Sequence, residues 1–182
     1  MNTTKISKYI SCILRHKPEL IGISIEKNGA WADVEQLIKG VSRKYPIDRN
    51  LLEEIVRNDE KQRYAFNQDK TKIRANQGHS IDVNIAFQEL PPPEILYHGT
   101  SSKNLDSIFQ TGINKGNRLY VHLSKDIPTA EKVGARHGTP VILSVSSLAM
   151  YNDGYRFYLS DNGVWLTEFV PVKYISVSAY KP

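Results

Sequence analysis

The sequence predicts an α+β protein of two parts, because three patterns follow one another along its 182 residues. Apolar residues recur at helical spacing through the first third of the chain, and two short β-like segments follow. Three consecutive prolines then interrupt every pattern, and the second half is rich in short apolar strands. We therefore expect a first domain over residues 1–90, a stiff linker over 91–93 and a second domain over 94–182.

The first part begins with an amphipathic helix that ends near Arg15, with Pro18 stopping it. Asp33 is the predicted N-cap of a second helix. The remaining predicted elements are a short strand over residues 21–25, a helix over 50–58, and strands over 64–66 and 72–74. This order of helices and strands is that of a winged-helix domain, and it places Arg74 at the end of the second strand of the wing.

The second part is predicted to be dominated by a sheet. Its predicted helices cover residues 105–111, ended by Gly112, and 127–134, with Pro128 in the first turn. Its predicted strands cover residues 94–100, 120–124, 140–145, 155–159, 163–167 and 174–177. The run over 140–145 is the most apolar of these, which favours a central strand.

Composition excludes several classes of site. A single cysteine, Cys12, excludes an internal disulfide framework and a multi-cysteine metal site. Glycine-rich nucleotide loops and paired histidines at metal-binding spacing are both missing. The net charge of +5 is compatible with an anionic partner or with an ordinary solvated surface. We expect a cytoplasmic protein, because no apolar run reaches roughly 18 residues and the first residues are polar.

Polar residues are concentrated over residues 73–80, Ile-Arg-Ala-Asn-Gln-Gly-His-Ser. The guanidinium of Arg74 matches phosphate oxygens, the amides of Asn76 and Gln77 can donate hydrogen bonds, and Gly78 admits a ligand close to the backbone. A polar loop between two elements is the alternative interpretation. Further Arg and His residues stand at predicted element ends: Arg15, His16, His79, His98, His122 and Arg136. Converging arginines indicate a phosphate monoester, whereas dispersed ones are surface charges.

The chain resembles RNA 2′-phosphotransferases of the bacterial type, which are related to the enzyme that finishes transfer-RNA splicing in eukaryotes. Six motifs in the expected order carry this resemblance. They are Leu14-Arg15-His16-Lys17-Pro18, Arg74-Ala75-Asn76-Gln77-Gly78-His79-Ser80, Tyr97-His98-Gly99-Thr100, Tyr120-Val121-His122-Leu123-Ser124, Val133-Gly134-Ala135-Arg136-His137-Gly138 and Asn162-Gly163-Val164-Trp165-Leu166-Thr167.

The resemblance implies a winged-helix lobe that binds the RNA 2′-phosphate and an ADP-ribosyltransferase-like lobe that binds NAD⁺. The family's catalytic tetrad falls on Arg15, His16, Arg74 and Arg136, and the phosphate site also includes Asn76, Gln77 and His79. The residues implied for NAD⁺ binding are His98, Gly99, Thr100, Asn117, His122, Ser124 and Val164.

The implied reaction consumes NAD⁺ as a co-substrate, without a metal ion. The 2′-phosphate is first ADP-ribosylated, and a second step releases 2′-OH RNA and ADP-ribose 1″,2″-cyclic phosphate. We expect a monomer that binds a tRNA-like RNA carrying an internal 2′-phosphate and no membrane. Two alternatives remain open: an ADP-ribosyltransferase that caps terminal phosphates of RNA or DNA, and a non-catalytic winged-helix nucleic-acid-binding module.

Overall fold

A computed structural model describes residues 3–178 of the chain, apart from the side chain of His137. It has mixed helices and sheets, so the predicted α+β class is confirmed. The chain divides into two compact units, Met1–Ala86 and Phe87–Pro182. The three prolines predicted as a linker lie inside the second unit, because the preceding residues already pair with one of its strands.

Three helices build most of the first unit: α1 (Thr3–Arg15), α2 (Val34–Val41) and α3 (Arg49–Arg57). The carboxylates of Asp33 and Asp48 each accept a backbone N–H from the first turn of the following helix at 2.8 Å. These N-cap bonds satisfy donors that a helix start leaves without a partner. The predicted helices and the predicted cap at Asp33 are therefore confirmed.

A small antiparallel sheet completes the first unit, with strands β1 (Ala32–Asp33), β2 (Tyr64–Phe66) and β3 (Lys72–Ala75) in the order β1-β3-β2. The predicted hairpin of β2 and β3 is confirmed. Arg74 lies on β3, and the chain then leaves the sheet through residues 76–80.

The strand predicted over residues 21–25 is wrong. Its alternation arises because Ile21 and Ile23 are both buried in the core of the unit. Gly22 between them has a φ of +70°, and the N–H of Ile23 donates to the carbonyl of Pro18 rather than to a neighbouring strand. Alternating burial is thus produced here by an irregular turn.

The second unit contains three α-helices and nine short strands among its described residues. The helices are α4 (Leu105–Thr111), α5 (Ile127–Gly134) and α6 (Ser147–Asn152). The strands are β4 (Gln88–Glu89), β5 (Leu96–Ser101), β6 (Ile113–Asn114), β7 (Val121–Leu123), β8 (Pro140–Val145), β9 (Tyr158–Leu159), β10 (Trp165–Thr167), β11 (Phe169–Val170) and β12 (Ile175–Val177). Helix α6 and strands β4, β6 and β11 were not predicted.

Two sheets of the second unit meet at one point, which positions the candidate site. One has the order β12-β8-β5, so β8 is central as predicted, and the other has the order β4-β9-β10-β7. Tyr97 of β5 and Ser124, which follows β7, exchange two backbone hydrogen bonds of 2.9 and 2.7 Å. These bonds hold the ends of the two sheets together.

Within the part of the chain that the structure describes, no helix combines the length and the apolar character needed to cross a membrane.

Candidate functional site

The first group of polar residues lies where α1 ends. Arg15 is the last residue of the helix, and the loop over residues 76–80 folds back onto it. The backbone N–H of Ser80 donates to the carbonyl of Arg15 at 3.0 Å, and the hydroxyl of Ser80 lies 2.9 Å from Nδ1 of His16. Residues distant in sequence are thereby brought together.

Gly78 allows this loop to lie against Arg15. Its φ is +89°, a conformation that favours glycine. A Cβ atom at this position would lie 3.7 Å from the guanidinium carbon of Arg15, which is ordinary contact. The backbone of the loop therefore passes directly over the guanidinium group.

Arg74 is held by a residue that the sequence analysis did not select. Its guanidinium carbon lies 4.6 Å from the centre of the Trp31 ring, and one of its nitrogens donates to the carbonyl of Gly29 at 3.4 Å. Stacking on an aromatic face leaves the N–H donors at the edge of a guanidinium group open to further acceptors. A Trp next to the capped start of α2 was the available signal, but nothing local connects it to Arg74.

His79 is the buried centre of the group, with only 2% of its surface exposed. Burial and, to a smaller extent, the charges of Arg15, His16 and Arg74 together lower the pKa of His79 to about 4. The imidazole is therefore neutral at physiological pH, with one nitrogen that donates and one that accepts. Arg15, His16 and Arg74 are thus close enough to His79 to affect its pKa.

Asn76 is also buried, and its contacts are asymmetric. Its side-chain amide donates to the carbonyl of Gln62 at 2.7 Å, whereas its Oδ1 is buried and has no hydrogen-bond partner among the described residues. Nε2 of His79 is also buried and has no hydrogen-bond partner among the described residues. Buried polar atoms without a partner are uncommon in folded proteins. Gln77 is half-buried in the same loop.

The second group lies at the junction of β5 and β7. Nδ1 of His98 lies 3.2 Å from the carbonyl oxygen of His122, which can only accept, so Nδ1 carries the proton. Burial lowers the pKa of His98, which outweighs the raising effect of this bond, and the charge of Arg118 lowers it further. The ring is thus neutral with its Nε2 as an acceptor.

Gly99 is required by packing. A Cβ atom on Gly99 would lie 1.7 Å from the carbonyl oxygen of Ala130 in α5, and one on Gly134 would lie 2.8 Å from the carbonyl oxygen of Thr100. The two glycines therefore let the backbones of α5 and β5 touch. Arg136 follows α5 directly, so this contact sets the position of its backbone.

The other residues predicted to bind NAD⁺ are less closely grouped. Thr100 is buried and its hydroxyl accepts from the Asn104 side chain at 3.1 Å. Ser124 is half-buried at the junction. Asn117 is exposed in the turn before β7, and the N–H of Val164 donates to the Ser160 hydroxyl at 3.0 Å.

Arg118 is a further residue that the sequence analysis did not select. Although the residue as a whole is exposed, the surrounding protein removes part of the hydration of its guanidinium, and this lowers the pKa of Arg118. The charge of Arg136 is the second cause. Arg136 is thus close enough to affect the pKa of Arg118, and two neighbouring guanidinium groups suit an anion.

The predicted tetrad is thus divided between the units. Arg15, His16 and Arg74 surround His79 in the first unit, and Arg136 belongs to the second. Among the described residues, no group of three or more His, Cys, Asp or Glu side chains could hold a metal ion. The absence of a metal cofactor stays a prediction.

Comparisons with known proteins agree on one family. The family model described as "RNA 2'-phosphotransferase, Tpt1 / KptA family" matches residues 1–169. A protein of Flavobacterium johnsoniae named "Probable RNA 2'-phosphotransferase" is 54% identical over 171 residues, which cover 93% of each chain. Relatives of the same name from Fusobacterium nucleatum and Nostoc punctiforme are 53% and 52% identical, and the matches cover 96% and 94% of this chain and 98% and 94% of theirs.

Proposed function

Because the chain belongs to the RNA 2′-phosphotransferase, Tpt1 / KptA family, we propose that it removes an internal 2′-phosphate from RNA in an NAD⁺-dependent reaction. Membership confirms the predicted family and the predicted class of enzyme, a transferase. The observation that carries the proposal is that Arg15 and His16, at the end of α1, contact the loop that follows Arg74 and contains the buried His79. In this proposal the first unit is the winged-helix lobe and the second is the ADP-ribosyltransferase-like lobe.

The first unit supplies the phosphate site. Arg15 and Arg74 carry permanent charge, and each is restrained, the first by the loop over residues 76–80 and the second by Trp31. Restrained guanidinium groups bind phosphate oxygens with little further loss of side-chain freedom. His79 adds a neutral imidazole, which can hydrogen-bond the phosphate without adding to the repulsion among the cations.

The second unit supplies the NAD⁺ site. Since Nδ1 of His98 is engaged by a carbonyl, its Nε2 can accept a hydrogen bond from a ribose hydroxyl. His122, Ser124 and the backbone at Gly99 complete the junction that holds His98, and Thr100, Asn117 and Val164 belong to the same proposed site. Arg136 is proposed to stabilise the phosphoryl oxygens during transfer.

In the first step, a 2′-phosphate oxygen of the RNA forms a bond to the anomeric carbon of the nicotinamide riboside. The bond from that carbon to nicotinamide breaks, and nicotinamide leaves with the bonding electrons. The nucleophile is already an anion, so this step needs orientation more than a base. The arginines keep the phosphate in place while its charge decreases.

In the second step, the neighbouring ribose 2″-hydroxyl attacks phosphorus and the bond from phosphorus to the RNA 2′-oxygen breaks. The hydroxyl loses a proton and the departing RNA oxygen gains one. Charge develops on the phosphoryl oxygens, where arginines are effective. His16 is proposed to move the proton, because it is exposed, ionises near neutral pH as a residue type, and is oriented by Ser80.

The proposal is tested by incubating the full chain with an RNA oligonucleotide that carries one internal 2′-phosphate. We expect loss of that phosphate only when NAD⁺ is present, with release of nicotinamide and ADP-ribose 1″,2″-cyclic phosphate and no need for added metal. An oligonucleotide with only terminal phosphates serves as the comparison substrate. Phosphate loss without NAD⁺, abolition by a chelator alone, or modification confined to terminal phosphates would each contradict the proposal.

A further inference from the structure

A groove in the first unit has no role in the function proposed above. Its volume is about 330 Å³, which is within the range of small-ligand sites. One wall is a face of α1, another is the end of α3, and the floor includes Tyr64 at the start of β2. All of these elements belong to the first unit.

The groove lies along the same face of α1 as Arg15 of the proposed phosphate site. Thr3, Ser7 and Ser11 line it and are spaced by four residues, and Arg15 continues the series. Residues four apart lie above one another on a helix, with a rise of about 6 Å between them. The groove therefore begins about one helical turn from Arg15 and leads away from it.

Tyr64, on the floor of the groove, lies close enough to Arg15 of the proposed phosphate site to be affected by its charge. Its hydroxyl donates to the carbonyl of Ser7 at 2.6 Å and lies 3.1 Å from the Ser7 hydroxyl. Burial raises the pKa of Tyr64, while its bond with Ser7 and the charge of Arg15 lower it. Arg15 is thus close enough to act on an atom of the groove floor.

Asn76 links the groove to the loop of the proposed phosphate site by hydrogen bonds. Its backbone N–H donates to the carbonyl of Arg63 at 2.8 Å, and its side chain donates to the carbonyl of Gln62. Arg63 lines the groove, whereas Asn76 begins the loop that carries His79.

The lining of the groove is polar and close to neutral. The charges of Lys8 and Arg63 are opposed by those of Glu54 and Asp59, and Arg63 is paired with Asp59. Five hydroxyl groups, those of Thr3, Thr4, Ser7, Ser11 and Tyr64, supply both donors and acceptors. Such a surface suits a sugar and a base, whereas a phosphate would need an excess of positive charge.

We propose that this groove binds the nucleoside that adjoins the phosphorylated nucleotide in the RNA chain. The inference rests on the proposed function and adds to it a second subsite, one helical turn from the phosphate site. Recognition there uses ribose hydroxyls and the edges of an unstacked base, as in other single-stranded RNA sites. The enzyme would then prefer a 2′-phosphate within an oligonucleotide to one on a single nucleotide, because a single nucleotide has no such neighbour.

The test fills the groove from its two opposite walls. Thr4 in α1 and Asn58 after α3 line the groove and are exposed, so Thr4→Trp and Asn58→Trp can be accommodated without disturbing the core. Gln36→Trp is the matched control, because Gln36 is an exposed helical residue outside the groove. Each variant is assayed on a 2′-phosphorylated hexanucleotide and on a single nucleoside 2′-phosphate.

We expect each groove variant to raise KM for the hexanucleotide about tenfold and to change kcat/KM for the single nucleotide less than twofold. The control should resemble the wild type on both substrates. Unchanged KM for the hexanucleotide, or equal losses on both substrates, would overturn the subsite even if the wild-type enzyme is active. An inactive wild type on every substrate would instead overturn the proposed function, and the subsite with it.

Discussion

The two candidate sites are built in different ways. In the first unit, charged side chains from a helix end and a loop surround the buried His79. In the second, backbone hydrogen bonds join β5 to the end of β7, and two glycines allow α5 to pack closely against β5. The difference indicates that the first site can lose a side chain and keep its fold, whereas the second depends on the backbone contacts that position it.

The largest effect should come from the first site and should affect chemistry alone. We expect His16→Ala to slow the second step by about 10²–10⁴-fold, because proton transfer is needed there and Arg cannot perform it. The ADP-ribosylated RNA intermediate should accumulate on a denaturing gel. Thermal stability should hardly change, since His16 is exposed.

Ser80→Ala and Arg15→Lys are the milder companions of that variant. Ser80→Ala removes the contact that orients His16 and should shift the pH profile of the second step while keeping its imidazole. Arg15→Lys keeps the charge but loses the planar fork of donors, so it should slow the second step less than His16→Ala does. A slow His16→Ala enzyme without any intermediate would show that His16 serves the first step or ligand binding.

The second largest effect should come from the backbone of the second site. In Gly99→Ala the new methyl group would overlap the carbonyl of Ala130, so α5 must move away from β5. We expect a loss of about 3 kcal/mol in the free energy of unfolding, measured by denaturant titration, and a corresponding loss of NAD⁺ binding.

Gly154→Ala is the control for this variant, because Gly154 also lies in the second unit and its Cβ position is free of neighbours within 4 Å. Its φ of +94° still makes alanine unfavourable there, so a smaller loss of about 1 kcal/mol is expected. Equal losses in the two variants would mean that the close packing of α5 on β5 is unimportant.

An intermediate effect should separate the ligands of the two sites. Arg74→Ala should weaken binding of 2′-phosphorylated RNA by about 2 kcal/mol and leave NAD⁺ binding unchanged, because a charged hydrogen-bonding group is lost. His98→Ala should do the reverse. Calorimetric titration measures the affinity of each variant for each ligand. If both variants lose affinity for the same ligand to the same extent, the assignment of one ligand to each site is wrong.

The smallest effect concerns His79, the buried residue at the centre of the first site. The pKa of His79 is about 4 in the folded protein and about 6.5 in an unfolded chain. Below pH 6.5 the unfolded chain takes up a proton that the folded protein does not. The contribution to stability is therefore fully present above pH 6.5 and is lost as the pH falls toward 4.

Lowering the pH from 7 to 5.5 should remove about 1 kcal/mol of stability through His79. The lowered pKa of His98 acts in the same direction. In His79→Asn the side chain no longer titrates, so the loss between the two pH values should be smaller by about that amount. An unchanged pH dependence in denaturant titrations would show that His79 is not neutral in the folded protein.

Local patterns in the sequence determined most helices and the order of the elements. Asp33 and Asp48 cap α2 and α3 because an N-cap depends on residues three apart, and the apolar stripe of α1 depends on residues three and four apart. The motifs also carried the family and the candidate residues, because those are properties of residue type and order. The strand predicted over residues 21–25 failed because alternation alone does not distinguish a strand from a turn with the same burial.

Only the tertiary structure decided how those residues behave. The neutrality of His79 depends on burial and on three cations brought together from the ends of α1 and β3, and the restraint of Arg74 depends on Trp31. The need for glycine at position 99 depends on close packing against Ala130 of α5, which is distant from Gly99 in the sequence. Desolvation, charge interactions and close packing depend on distances in space, and one sequence without its fold does not specify those distances.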